Sequence, residues 1–480
     1  MQLTPDPTLS PSAAAAAIAA PDDEAKAVVG RSPAPPLKGD RTIWGIYLLL
    51  CLISLVELYS ASSQEVKADS NFGVYGPIMR HAMQLLLGFG LLMVIQRRSY
   101  INFIIWGPFL AVISFISMVA VLFIGKDING ARRCLDLGVF TLYPSELIKM
   151  SAAIVIALVM AYTNAKGKSE RTRMAGVWVS AGATLLFSAI LITQGLTNTI
   201  LLMGISFAML VVGGVKFKHL LKVLVVFFVG GVALFGIAVA IETMTSDDND
   251  KKVLVERQIS DEERNMFATI DSKRPASTKK SETSGLLGRF ETWMARLNRH
   301  SDDDVPKYLQ PINDLNRQEM YGYMAQAHGG LSGVKPGNSR ETARLPLAFS
   351  DYIYSIVVEE WGLIGGLVLL VVYLWLLARA SSIASRCNQR FAALLVIGMA
   401  VMIVLQALFH MAIVTGLFPV SGQPLPLISK GGTSILVTSA AFGVMLSVSR
   451  FGVRTGRKQD EKAESASLPD AFRSANPTQL

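Results

Sequence analysis

Ten apolar stretches run through this chain of 480 residues, and one long polar segment, 242–350, separates the seventh from the eighth. The stretches fall at 43–59, 81–95, 103–124, 147–162, 175–193, 200–215, 220–241, 352–377, 391–415 and 434–448. Runs of about 15–25 apolar residues are long enough, as helices, to cross ~30 Å of hydrocarbon. Backbone groups in lipid must be satisfied internally, which makes helices the default spanning element. A membrane barrel would instead show ~10-residue alternating segments, and the sequence has none. The expected fold is therefore an all-α polytopic membrane protein of about ten transmembrane helices, with one long extracytoplasmic loop between helices 7 and 8. The short second and fourth stretches are expected to extend outward through Arg80 and Lys149.

The formal net charge of +9 reads first as a hint of nucleic-acid binding. Its distribution argues against that. With the amino terminus in the cytoplasm, ten spans return the carboxyl terminus there. The inner segments then collect Arg97, Arg98, Lys166, Lys168, Arg171, Arg173, Lys216, Lys218, Lys222, Arg379, Arg386, Arg390, Arg450, Arg454, Arg457 and Lys458. This is the positive-inside bias of short loops. The cations follow membrane orientation, so no nucleic-acid partner is expected. The expected location is a bacterial cytoplasmic (inner) membrane, multi-pass, with both termini cytoplasmic.

Cys51, Cys134 and Cys387 fall in a span, outside and inside, so no pair is expected to form an extracytoplasmic disulfide, and their spacing does not suit zinc. The five histidines are scattered without a His-Glu-x-x-His pattern. No dedicated metal cage is expected. Residues 1–41, rich in Ala and Pro, read as a disordered cytoplasmic tail, because the run Ala13–Ala20 lacks the basic start of a signal peptide. Residues 451–480 form a second polar tail. The blocks 42–241 and 351–450 carry helices 1–7 and 8–10. Within the long loop, Phe290, Trp293, Met294 and Leu297 recur at helical spacing. That pattern fits an amphipathic helix on the membrane surface as well as an ordinary packed loop helix.

Three constellations carry chemistry. The first runs from Asn129 through Arg132 and Arg133 to Tyr143-Pro144-Ser145-Glu146-Leu147-Ile148-Lys149. Pro144 and Glu146 suit a first helical turn. Glu146 and Lys149, three residues apart, can pair on one face. A charge pair inside a span is a functional candidate by default, and a structural ion pair is the equal alternative. The second runs from Tyr321 through Gly329, Gly330, Gly333 and Gly337 to Ser350-Asp351-Tyr352, and closes at Glu359-Glu360-Trp361-Gly362. Most glycine-rich loops of this kind are plain turns. The third, Gly416 to Ser434, sets Pro419, Pro424 and Pro426 among glycines. It cannot form a straight span, and reads as a re-entrant segment lining a cavity.

Together these segments resemble the SEDS family (shape, elongation, division and sporulation), the polytopic peptidoglycan glycosyltransferases that include RodA and FtsW. The resemblance covers about residues 42–450 and includes Tyr59-Ser60-Ala61-Ser62. The family's segment Leu-Pro-Glu-Ala-His-Thr-Asp-Phe is here Leu345-Pro346-Leu347-Ala348-Phe349-Ser350-Asp351-Tyr352. The Asp is kept, while Leu347 and Phe349 replace the Glu and His. That argues against any mechanism needing those two groups, and for Asp351 alone as the proton carrier. Gln194-Gly195-Leu196-Thr197-Asn198-Thr199 departs from the family's Gln/Glu-Pro-Asp-x-Gly-Thr, and that loop is assigned no catalytic role. Lys430 stands where Tyr is usual.

The resemblance implies lipid II and the lipid-linked glycan as substrates, with inversion at the sugar C1. It implies Asp351 as general base. It implies Arg133 and Lys149, with Arg80 behind them, Glu146 orienting Lys149, and Lys430, as the pyrophosphate-binding set. No cofactor is certain; a divalent cation, Mg or Mn, bridging the pyrophosphate is the one plausible ion. The implied partners are a class B penicillin-binding protein (a transpeptidase) and other divisome proteins. The long amino-terminal tail and the missing Pro-Asp pair favour the division branch, FtsW, over the elongation branch. A lipid II transporter and a non-catalytic scaffold for a transpeptidase are the readings from other classes.

Overall fold

The computed structural model describes residues 39–61, 76–128, 131–136, 141–164, 168–234, 236, 310, 312–313, 316–345, 348–387 and 389–451. Both terminal tails, most of the long loop and the Phe290–Leu297 helix expected from its spacing lie outside the described residues. The ten expected spans become ten helices among the described residues: α1 (Arg41–Ala61), α2 (Gly76–Gln96), α3 (Phe103–Ile124), α4 (Pro144–Thr163), α5 (Glu170–Leu191), α6 (Leu196–Val212), α7 (Phe217–Leu234), α9 (Ile353–Ala384), α10 (Arg390–Val414) and α11 (Gly432–Phe451). Between α7 and α9 lies a shorter helix, α8 (Arg317–Gly329). Nine are long and apolar enough to cross a membrane, and α6, with 17 residues, is a shorter apolar helix. The protein is a multi-pass membrane protein.

Local chemistry sets the helix ends. At α1, Asp40 accepts hydrogen bonds from the N–H groups of Thr42 and Ile43, at 3.0 and 3.2 Å. Arg379 of α9 grips the same carboxylate at 2.6 Å. Ser169 caps α5 by accepting from the Thr172 N–H. Pro144 starts α4, where its missing N–H costs nothing. α2 does extend through Arg80, and α4 does take in Glu146 and Lys149.

The core follows the same logic. α10 and α11 are buried along most of their length, while α7 and α2 are largely exposed. Exposed side chains such as Leu86, Ile105, Phe123 and Phe228 are what a lipid-facing surface shows. One addition to the all-α expectation is a small antiparallel sheet. β1 (Lys126–Ile128), β2 (Ala131–Asp136) and β3 (Thr141–Leu142) lie in that order between α3 and α4.

The eighth span is not a straight helix. Gly362 breaks α9 with φ 74° and ψ −178°, a conformation essentially reserved for glycine. The glycine-rich stretch after α8 fits into this break. Val334 and Lys335 donate N–H bonds to the carbonyls of Glu359 and Glu360, at 3.0 and 2.9 Å, and Leu363 donates to Gly330 O at 2.9 Å. A Cβ on Gly333 would sit 2.2 Å from Glu360 O, and one on Gly362 2.2 Å from Leu331 O. The glycines thus let two backbones touch, which is a structural use and not a phosphate cradle. Gly362→Ala is expected to destabilise the protein by several kcal/mol, combining backbone strain with a backbone clash. A wild-type unfolding midpoint in detergent would contradict this.

Candidate active site

Asp351 stands just ahead of α9, half-buried, with the Ser350 hydroxyl donating to its Oδ1 at 2.9 Å. Three pieces of chain surround it. Behind it, the acids of α9 organise the incoming loop. Glu359 accepts from Ser339 Oγ at 2.5 Å and from the Arg340 N–H at 3.0 Å. Glu360 accepts from the Gly337 N–H at 3.2 Å and from Ser60 of α1. Glu57 of α1 accepts from the Trp361 indole at 2.7 Å. The Glu359-Glu360-Trp361-Gly362 motif is therefore a clamp that fixes the loop leading to Asp351.

Beside Asp351 runs the segment between α10 and α11, irregular as expected for a re-entrant stretch. Non-helical backbone at membrane depth needs a partner for each polar group. Here side chains from three helices supply them. His410 Nδ1 donates to Gln423 O at 2.5 Å and Gln406 Nε2 to Pro424 O at 3.1 Å, both from α10. Tyr373 of α9 donates to Pro426 O at 2.6 Å, and Ser54 of α1 to Ile428 O at 3.2 Å. Ser429 then donates to Ser350 O at 2.7 Å, and the Lys430 N–H to Phe349 O at 2.9 Å. These two bonds lock the re-entrant segment to the Asp351 turn. Leu427, buried, is held at φ 65°, strain of roughly 1–3 kcal/mol that the surrounding bonds must offset. A Cβ on Gly422 would lie 2.8 Å from Asp351 Oδ2, so glycine lets the chain pass close to the carboxylate.

The third piece is β2 with the start of α4. Arg133 faces Asp351 closely enough for their charges to interact. Burial pushes the Arg133 guanidinium below its ordinary value, and the negative charge of Asp351 pulls it back up. Its Nε is buried with no hydrogen-bond partner among the described residues, so the fork keeps donor capacity for an anion. Burial likewise raises the Tyr143 phenol, with the charges of Cys134 and Asp351 adding to the rise. Thr433 ties this side to α11, donating to Thr141 O at 2.5 Å and accepting from the Tyr143 N–H at 3.2 Å.

The other expected site residues are placed as follows. Lys149 is fully buried, and its Nζ donates to Glu146 Oε1 at 2.7 Å and to Gln406 Oε1 at 2.8 Å. Through Gln406 it reaches Pro424 O, so the pair ties α4 to α10 and to the re-entrant segment. Arg80 is exposed on the first turns of α2. Lys430 is half-buried, its Nζ 4.8 Å from the centre of the Phe349 ring. Two departures from the family pattern thus meet in one cation–π contact, of a kind worth about 0.5–2 kcal/mol. Among the described residues no three His, Cys, Asp or Glu side chains gather as a metal cage.

Sequence reasoning passed over a polar cluster on the same side. Gln423 Nε2 donates to Asn198 Oδ1 at 2.9 Å, which brings the third departure, the 194–199 loop, against the re-entrant segment. Gln423 Oε1, His410 Nε2, Ser421 Oγ and both amide atoms of Gln194 are buried without partners among the described residues. Gln406 and His410, four apart on an apolar helix, were the visible signal, since intramembrane polar residues mark functional faces.

Comparison with known proteins gives the family and the fold. Stage V sporulation protein E of Bacillus subtilis is 27% identical over 419 residues, covering 85% of this chain and 95% of that one. Peptidoglycan glycosyltransferase MrdB of Escherichia coli K12 is 26% identical, covering 85% and 93%. Probable peptidoglycan glycosyltransferase FtsW of Marinomonas mediterranea is 24% identical, covering 88% and 92%. Among solved structures, Rod shape determining protein RodA of Thermus thermophilus shares the fold with a TM-score of 0.55 at 20% identity, covering 88% of this chain and all of that one. A structure described as "Structural coordination of polymerization and crosslinking by a peptidoglycan synthase complex" aligns with a TM-score of 0.57 at 21% identity, covering 86% and 98%. The sequence profile of the FtsW/RodA/SpoVE family, described as "Cell cycle protein", matches residues 40–255 and 287–453, and the chain belongs to that family, the SEDS family that its motifs resembled.

Proposed function

We propose that this protein is an inverting glycosyltransferase that polymerises lipid II into glycan strands. The observation that carries the reading is Asp351, locked to the re-entrant segment through Ser350 and Phe349, with Arg133 close enough for their charges to interact. Asp351 accepts the proton of the GlcNAc 4-hydroxyl as that oxygen attacks C1 of the lipid-linked MurNAc. The C1–O bond to the undecaprenyl pyrophosphate breaks, the new glycosidic bond forms on the opposite face, and the α anomer becomes β. A positioned base is worth typically ~10²–10⁴ in rate. Negative charge then grows on the leaving pyrophosphate, and fixed cations placed where charge develops are often the largest catalytic contribution. Arg133 is the group for direct contact. Lys149, held by Glu146 and Gln406, contributes a fixed field from within the bundle, with Arg80 and Lys430 towards the rim. A divalent cation, Mg or Mn, would arrive on the pyrophosphate and take its oxygen ligands mostly from it.

The relatives' names support the activity in both division and elongation branches. The division reading, septal synthesis with a class B penicillin-binding protein and other divisome proteins, rests on the long amino-terminal tail and the missing Pro-Asp pair. In the cytoplasmic membrane the Asp351 end faces outward, because the opposite end carries the short-loop cations. Purified protein with lipid II, alone and with a class B transpeptidase, is expected to yield glycan polymer. Lipid II translocation without polymer would favour a transporter, and no turnover even with the partner would favour a scaffold. Depletion is expected to give long undivided cells, and rounding with intact septa would assign the elongation role. A cysteine placed at Ser281 should react with an impermeant thiol reagent only from outside, and one at Ser467 only from the cytoplasm. The reverse pattern would sink the orientation.

A further inference from the structure

The end of the bundle opposite Asp351 holds a cavity of about 330 Å³, within the ~300–1,000 Å³ range of ligand sites. It lies where the carboxyl ends of α4, α6 and α9 meet the amino end of α10. From the break at Gly362 to Ser381 at the cavity, α9 carries roughly 30 Å of helix, and Asp351 lies beyond the break at the other end. The cavity is therefore independent of the glycosyltransfer site. Its walls are apolar, formed by side chains such as Met160, Val212, Ala393, Leu394 and Ile397. Its charged lining residue is Arg390. One arm of that guanidinium donates to Asn164 O, while Nε is buried with no partner among the described residues. The surrounding charge has one sign. Arg173 acts on Arg390 as a like charge. The two acids described at this end are already taken: Asp40 by Arg379 and Glu170 by Lys216, each at 2.6 Å.

An apolar cavity with one underused guanidinium at its edge, in a field of cations, is complementary to an amphiphile with an anionic head. Free phosphate would leave the apolar walls bare, and a zwitterionic lipid would bring its own cation into a field that is already positive. Basic pockets between helices at the cationic face of a membrane protein suit anionic headgroups, and Arg is the residue suited to forked contacts with phosphate oxygens. We propose that this cavity binds an anionic phospholipid, its phosphodiester on Arg390 and one acyl chain against Met160, Leu394 and Ile397.

Photolabelling of the full-length protein in nanodiscs tests this, using phosphatidylglycerol and phosphatidylcholine that carry a diazirine in the acyl chain. Phosphatidylglycerol should label the peptides bearing Met160 and 393–397 roughly tenfold more than phosphatidylcholine, whose phosphodiester is the same but whose choline ammonium cancels the headgroup charge and is repelled by the cations of Arg390 and Arg173. Arg390→Gln should reduce that labelling to the phosphatidylcholine level. Ala393→Phe, which fills the cavity and leaves Arg390 in place, should abolish labelling by both. Glycerol 3-phosphate in millimolar excess should not compete, because it lacks the chain. Equal labelling of wild type by the two lipids, full labelling of a folded Arg390→Gln protein, or competition by glycerol 3-phosphate would each overturn the proposal. The comparison of lipids on wild type needs no substitution, so a misfolded variant does not remove the test.

Discussion

Replacing Asp351 with Asn should leave a folded, inserted protein that makes no glycan. Asn keeps the planar shape and can still accept the Ser350 hydroxyl bond seen at 2.9 Å, but it cannot take the proton of an attacking hydroxyl. The expected loss in kcat is at least ~10²-fold, with lipid II binding retained. A helix-capping role would predict that Asn serves as well as Asp. The geometry does not favour that role: Tyr352 occupies the N-cap of α9, and Asp351 stands one residue outside it. Asp351→Glu keeps the carboxylate and moves it by one methylene. A misplacement near 1 Å can cost ~10²-fold, so weak activity is expected. Gly422→Ala leaves Asp351 untouched but sets a Cβ 2.8 Å from Oδ2, and should lower kcat by displacing the carboxylate. A fully active Asp351→Asn protein would end the general-base assignment.

The spans were legible because an apolar run is a local property. It appears in the sequence whatever it packs against, and each of the ten has a helix over its expected stretch, although the eighth runs on to Ala384 and the end of the seventh lies outside the described residues. The break at Gly362 was not legible. The sequence shows a glycine in an apolar run, and only the backbone of Leu331 and Gly333 pressed against it explains why glycine must stand there. The short strands at 126–142 escaped for a related reason: two to six residues carry too little pattern to register. For the site, the pairing of Glu146 with Lys149 was visible because three residues is a helical spacing. Gln406, 257 residues from Lys149, has no such local sign. The changes at Phe349 and Lys430 looked like separate substitutions in the sequence. Folding stacks one on the other, so they are best regarded as a single change.

Lys149→Ala should cost both stability and activity, and the way the two separate tells what the lysine does. Its Nζ is fully buried between Glu146 and Gln406. Removing it leaves the Glu146 carboxylate buried and unpaired, a loss of roughly 3–5 kcal/mol in such sites. It also frees Gln406, whose other end holds Pro424 O in the re-entrant segment. Because that segment passes Gly422 across Asp351, the catalytic geometry should loosen, and kcat should fall more than the apparent affinity for lipid II. The double variant Glu146→Gln, Lys149→Met separates packing from charge. It removes both charges at similar volume, and such swaps are often neutral or stabilising, so the unfolding midpoint in detergent should return towards wild type. If Lys149 matters only because its loss strands the Glu146 charge, polymerisation should return with it. If its bond to Gln406 or its positive charge is needed for turnover, a stable double variant should remain slow, and adding more lipid II should not help. A stable, fully active Lys149→Ala protein would show that neither the bond to Gln406 nor the buried charge matters to catalysis.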